Sequence, residues 1–152
     1  MPTVHDVAAA ILESHGAPMT AMKLQKLTYY AKAWHAVWDD EELFPEQFEA
    51  WRNGPVCRAL YDRHRGRFTV SDWRGGDPSA LTDSQRETVD AIVGSYGPMS
   101  AQQLSELTHR EDPWRDARAG LGDMERSARE IDLASMVEFY GALEESSDAE
   151  PF

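Results

Sequence analysis

Five times along this chain a Ser, Thr or Asp stands directly ahead of a stretch whose apolar residues recur every three or four positions: Thr3, Thr20, Thr82, Ser100 and Asp132. A hydroxyl or carboxylate there can accept from a first-turn backbone N–H, a group that has no partner inside its own helix. Asp6, Gln85 and Gln103 follow three of these caps by three residues, so each can return a bond to the cap's own N–H. Met19, Met99 and Ile131 precede three of them and are spaced to staple onto Leu24, Leu104 and Met136. A chain punctuated in this way is mainly α, built from αα-hairpins.

The apolar stripes give the helices their faces. The first carries Val4, Val7, Ala8, Ile11 and Leu12 and ends at Gly16-Ala-Pro18. The second carries Leu24, Leu27, Ala31, Trp34 and Trp38, widened by Tyr30 and Val37, and is expected at the centre of the core. Asp39-Asp-Glu-Glu42 reads as a solvated loop, and residues 43–51 have no clear period. Asn53-Gly54-Pro55 reads as a helix start with Pro in the first turn, burying Val56 and Leu60 and ending at Gly66. Residues 67–73 alternate weakly, and are expected to form a short strand paired with residues 49–51 as a single β-hairpin. Later helices follow Thr82 (Val89, Ile92, Val93, Tyr96), Ser100, Asp112-Pro113 (through Ala119) and Asp132 (Met136, Tyr140, Leu143). The expected fold is a compact single-domain bundle of six or seven helices over residues 1–145, with an acidic, flexible tail at 146–152. Gly16–Thr28 also echoes Gly97–Thr108 nearly residue for residue, either as two similar hairpins or as one connection chemistry reached twice.

Composition narrows the chemistry. The net charge is −12, so a phosphate backbone is repelled and a basic protein partner is favoured. Cys57 is the only cysteine, which excludes an intramolecular disulfide. No run approaches the ~18 apolar residues of a membrane span, and no leader pattern opens the chain, so a cytoplasmic location is expected. There is no Gly-x-Ser-x-Gly elbow, and the five histidines do not pair at ligand spacing. Cys57, in the first turn of a helix from Pro55, could be activated by the helix dipole, but a small buried apolar role fits it better. His109, Glu111 and Asp112 form the only local ligand cluster, and their carboxylates suit the start of the helix at Pro113. No cofactor, metal or catalytic residue is expected. Ser100 to Arg118 could be a helix-turn-helix, yet Arg110, Arg115 and Arg118 are balanced by Glu111, Asp112 and Asp116. Residues 51–74, by contrast, hold six arginines against two aspartates, directly after the acidic run.

Three segments, in order, carry a resemblance: Met22-Lys-Leu-Gln-Lys-Leu-Thr-Tyr-Tyr-Ala-Lys-Ala-Trp-His35, Glu49-Ala-Trp-Arg-Asn-Gly-Pro-Val-Cys-Arg-Ala-Leu-Tyr61 and Leu107-Thr-His-Arg-Glu-Asp-Pro-Trp114. Together they resemble the Panacea (SocA-like) antitoxin domain, over roughly residues 4–143. Cys57 departs from the family pattern, which places another residue type after Gly-Pro-Val. The resemblance implies a helical, non-enzymatic domain of a type II toxin–antitoxin pair. It would neutralise a co-encoded toxin by direct binding that blocks the toxin's active site. The alternative is a helix-turn-helix DNA-binding transcriptional regulator. The expected partner is a basic toxin, one acting on tRNA or nucleotides, with no membrane and no nucleic acid. Aromatic and Arg residues at element ends are the candidate contacts: Trp51, Arg52, Pro55, Arg58, Tyr61, Trp114 and Arg115.

Overall fold

The computed structural model describes residues 1–149. Each of the five caps is in place. Helix α1 (Val4–His15) opens on a reciprocal Thr3–Asp6 box and closes at Gly16, whose φ of 75° needs no Cβ. Thr20 caps α2 (Ala21–Asp39) through the Lys23 N–H at 3.1 Å. Thr82–Gln85 and Ser100–Gln103 boxes open α4 (Asp83–Tyr96) and α5 (Ala101–His109). Asp132 accepts from the Ser135 N–H at 2.7 Å ahead of α7 (Leu133–Ala149). Two shorter helices, α3 (Arg58–His64) and α6 (Asp112–Ala117), complete the set of seven among the described residues. Of the tail expected at 146–152, α7 takes in residues as far as Ala149, and the last three lie outside the described residues.

Helix α2 is the axle, with α1, α4, α5 and α7 packed around it. Being enclosed on nearly every side, it buries polar side chains as well as the expected stripe: Gln25, Lys26, Thr28, Lys32 and His35 are all within the core. Most have partners there. Lys32 Nζ donates to the Glu46 carbonyl at 2.5 Å, and His35 Nδ1 meets Thr88 Oγ1 at 2.7 Å. Thr28 Oγ1 donates to its own helix at 2.8 Å, as Thr108 does in α5, so the echoed hairpins agree down to this bond. Trp38 and Leu143, expected on apolar faces, are 42% and 46% exposed; Trp38, next to last in α2, stacks on Trp34 by one face.

Two small antiparallel sheets flank the bundle, and they differ from the single hairpin expected. Strand β2 (Phe48–Trp51) pairs with β3 (Gly54–Val56) on one side and β5 (Glu130–Ile131) on the other, giving the order β3-β2-β5. Strand β4 (Thr69–Val70) pairs instead with β1 (Met19–Thr20), in register Met19↔Val70. The Gly54-Pro55 segment is therefore strand, not helix, and α3 starts three residues later with Cys57 at its cap. A tertiary contact decides this. Gln25 of α2 accepts from the Cys57 N–H at 2.8 Å and donates to the Cys57 carbonyl at 3.1 Å, which holds the end of β3 extended. Gly54, at φ 121°, lies directly over the Lys26 side chain, where a Cβ would come within 2.7 Å of Lys26 Cε.

Candidate partner-binding groove

Strand β2 ends at Trp51, a two-residue turn carries Arg52, and α3 presents Arg58 and Tyr61 from its first turns. These four expected residues line one cleft of about 540 Å³, whose other wall is Arg126, Ser127 and Ala128. The aromatic floor is braced from several sides. Trp51 and Tyr61 meet edge to face at 5.0 Å between centroids, and the Arg58 guanidinium lies over the Trp51 ring at 5.4 Å. Glu49 binds both partners, accepting from Trp51 Nε1 at 2.8 Å and from Arg58 at 3.0 and 3.3 Å. Three cations, Arg52, Arg58 and Arg126, thus border a half-buried indole and phenol, with Glu49 engaged to one of them.

The remaining expected contacts separate. Arg115 is exposed on α6 but is not part of the cleft lining. Pro55 and Trp114, also expected as contacts, are buried in the chain: Pro55 is the register partner of Ala50, and Trp114 sits beneath the cleft. Trp114 Nε1 donates to the Trp51 carbonyl at 2.7 Å, and its ring stacks on His109 at 4.0 Å. Arg118, only 5% exposed, lies over the same ring and donates to the carbonyls of Ala50, Gly122 and Glu125. That guanidinium fastens the 118–129 loop to β2, and the Ala50 N–H adds a bond to the Arg129 carbonyl at 2.8 Å. Arg126 is positioned by this fastening. Nothing in the aperiodic loop sequence marks it, and a buried arginine reaching β2 is the signal that was missed.

Two further hollows extend the cleft. Tyr61 also borders a hollow of about 330 Å³ beside the 81% exposed Phe68. Met22 and Ala101 are shared by that hollow and a third, of about 420 Å³, lined by Lys26, Asn53, Ser105 and His109. The shared residues place the three hollows next to one another, from the arginine cleft to the edge of α2 and α5.

Cys57 is 1% exposed and burial pushes its thiol up, the reverse of nucleophile activation. Among the described residues no group of three or more His, Cys, Asp or Glu side chains gathers to hold a metal ion. No described helix is long and apolar enough to cross a membrane.

A family model for the antitoxin SocA-like, Panacea domain matches residues 24–115. The chain belongs to this family. The Panacea match runs from α2 into α6 and takes in Trp51, Arg52, Arg58 and Tyr61, whereas the Arg126 wall lies beyond it. No curated protein and no solved structure matches the chain.

Proposed function

We propose that this Panacea chain is the antitoxin of a type II pair, and that it neutralises a co-encoded toxin by seating part of it in the groove and covering the toxin's active site. One observation carries the reading: Trp51, Arg52, Arg58 and Tyr61 converge on a preformed cleft. A braced indole and phenol lose little rotamer freedom on binding, and Trp, Tyr and Arg dominate measured interface hot spots. A specific interface buries roughly 1,200–2,000 Å², and three neighbouring hollows offer a footprint for it. Arg115 is a separate exposed contact in this reading, while Pro55 and Trp114 act by holding the cleft in shape.

The helix-turn-helix alternative has less support. Helix α6 is six residues long, with Pro113 and Trp114 buried. Of the three arginines available to read bases, Arg118 is committed to backbone carbonyls of its own chain.

The test is coexpression with the product of the neighbouring open reading frame, scored by growth and by co-purification. Wild type relieves growth arrest. The Trp51→Ala/Arg58→Ala double variant keeps its circular dichroism spectrum but binds at least ~30-fold more weakly, since each hot spot contributes about 2 kcal/mol or more before non-additivity. Undiminished protection by the double variant would remove the cleft from the interface.

A further inference from the structure

Among the described residues three buried side-chain polar atoms find no hydrogen-bond partner: Lys26 Nζ, His35 Nε2 and His109 Nε2. His35 Nε2 has the carboxylates of Glu41 and Asp39 at 3.6 and 3.9 Å. The other two belong to side chains that line the same hollow, between α2, α5 and the β2–β3 turn. Lys26 is 1% exposed, and no described carboxylate lies within ion-pairing distance of it. Lys32, on the same helix and equally buried, shows what a settled lysine looks like here: it has the Glu46 carbonyl and, at 3.6 Å, Glu42.

The groups around Lys26 are already engaged. Ser105 Oγ donates to the Asn53 carbonyl, Thr108 Oγ1 to the Ser105 carbonyl, and Glu106 accepts from Gln102 at 3.2 Å. A buried ammonium with no counter-charge is strongly unfavourable, so an acceptor from outside the chain would relieve a standing deficit.

We propose that this hollow is a carboxylate site, occupied in the complex by an Asp or Glu side chain of the toxin and closed by the Lys26 ammonium. The proposal rests on the antitoxin reading and adds the chemistry of one contact. The unpartnered Lys26 ammonium can donate to one oxygen of a carboxylate, and His109 Nε2 can donate to the other only when it carries the ring proton. Glu106 at the mouth and the net charge of −12 oppose a dianion such as phosphate.

A pH dependence follows. Burial lowers Lys26 to about 7, so it is partly neutral near physiological pH. A carboxylate binds the protonated form, so affinity is highest below pH ~7 and falls by up to about tenfold per unit above it. The other groups around it are His109 and Glu106 from α5, His64 from α3, and Arg118 and Asp123, whose charges act on His109. Both histidines are shifted down by burial first and also by the Lys26 charge, so over this range they are less protonated than a free imidazole.

Calorimetry of the full chain with the neighbouring gene product at pH 6.5, 7.5 and 8.5 reads this directly. Wild-type affinity falls at least tenfold across the range. Lys26→Met, which keeps the buried stem and removes the charge, has an equal or higher Tm, binds at least tenfold more weakly at pH 6.5, and shows a flat profile. In parallel, acetate added to the free protein saturably shifts the Lys26 NMR resonances and raises its pKa. Saturation by acetate with unchanged toxin affinity in Lys26→Met would assign the hollow to a small free carboxylate and overturn the toxin side chain as its occupant. No acetate response with a pH-independent toxin affinity overturns the site while sparing the proposed function. A neighbour that never binds overturns the proposed function and the toxin occupant together, and the acetate arm then decides whether the hollow takes a carboxylate.

Discussion

Glu111 shows how little a single position can disclose by itself. Its place ahead of Pro113 suggests a carboxylate serving the helix start, but its side chain makes no cap bond. It turns into the core, 6% exposed, and accepts from Tyr30 at 2.7 Å and Tyr140 at 2.8 Å, while Tyr140 also reaches Tyr29 at 3.2 Å. Burial raises its pKa, and the two phenols oppose that shift only in part. Glu111→Ala should therefore orphan two buried hydroxyls at about 1–3 kcal/mol each, a loss of roughly 2–6 kcal/mol in urea unfolding. Glu111→Gln, which keeps an acceptor, should lose clearly less. The sign of the pH effect is also set. With the folded pKa above the unfolded value, this group's contribution is complete below about 4.5 and is lost as pH rises through the folded pKa. The Gln variant should be flatter across that window.

At the level of elements, every helix start that depends on a neighbour three residues away could be read in advance. Thr3, Thr20, Thr82, Ser100 and Asp132 each cap the helix they precede. The segments that misled are those decided by residues far along the chain. Gln25 holds Cys57 extended from 32 positions away, so the local Gly-Pro signal for a helix start is overridden. Residues 67–73 do contain a strand, but its partner is Met19–Thr20, which a weak alternation could not name. The β2–β3 hairpin should be correspondingly intolerant at Gly54. Gly54→Ala combines a φ of 121° with an approach to Lys26 Cε of 2.7 Å. Strain of this kind costs about 1–3 kcal/mol, so Tm should fall by several degrees and denaturation curves should show it. An Ala variant as stable as wild type would mean that the turn does not rest on Lys26.

For the whole molecule, the acidic surface and the cationic cleft divide two tasks that net charge alone merges. A field of −12 acts, on the proposed reading, at long range on the approach of a basic partner, whereas Arg52, Arg58 and Arg126 act only once it has arrived. On the proposed reading, stopped-flow association should slow several-fold between 50 and 300 mM salt, with dissociation changing much less. An association rate indifferent to salt would remove the steering role. Much of the groove could be foreseen: Trp51, Arg52, Arg58 and Tyr61 stand within eleven residues, and their Arg-aromatic character shows in the sequence. The facing wall could not be, because Arg126 is brought there by the Arg118 anchor and by β5, neither of which leaves a periodic trace. That asymmetry has a consequence for how such a protein can change. One wall is built into the part shared with the family, and the other lies on a loop beyond it, tied down by the Arg118 guanidinium and by β5. On the proposed reading, insertions or exchanges between residues 119 and 128 would change which client the cleft accepts while the helical frame keeps its packing.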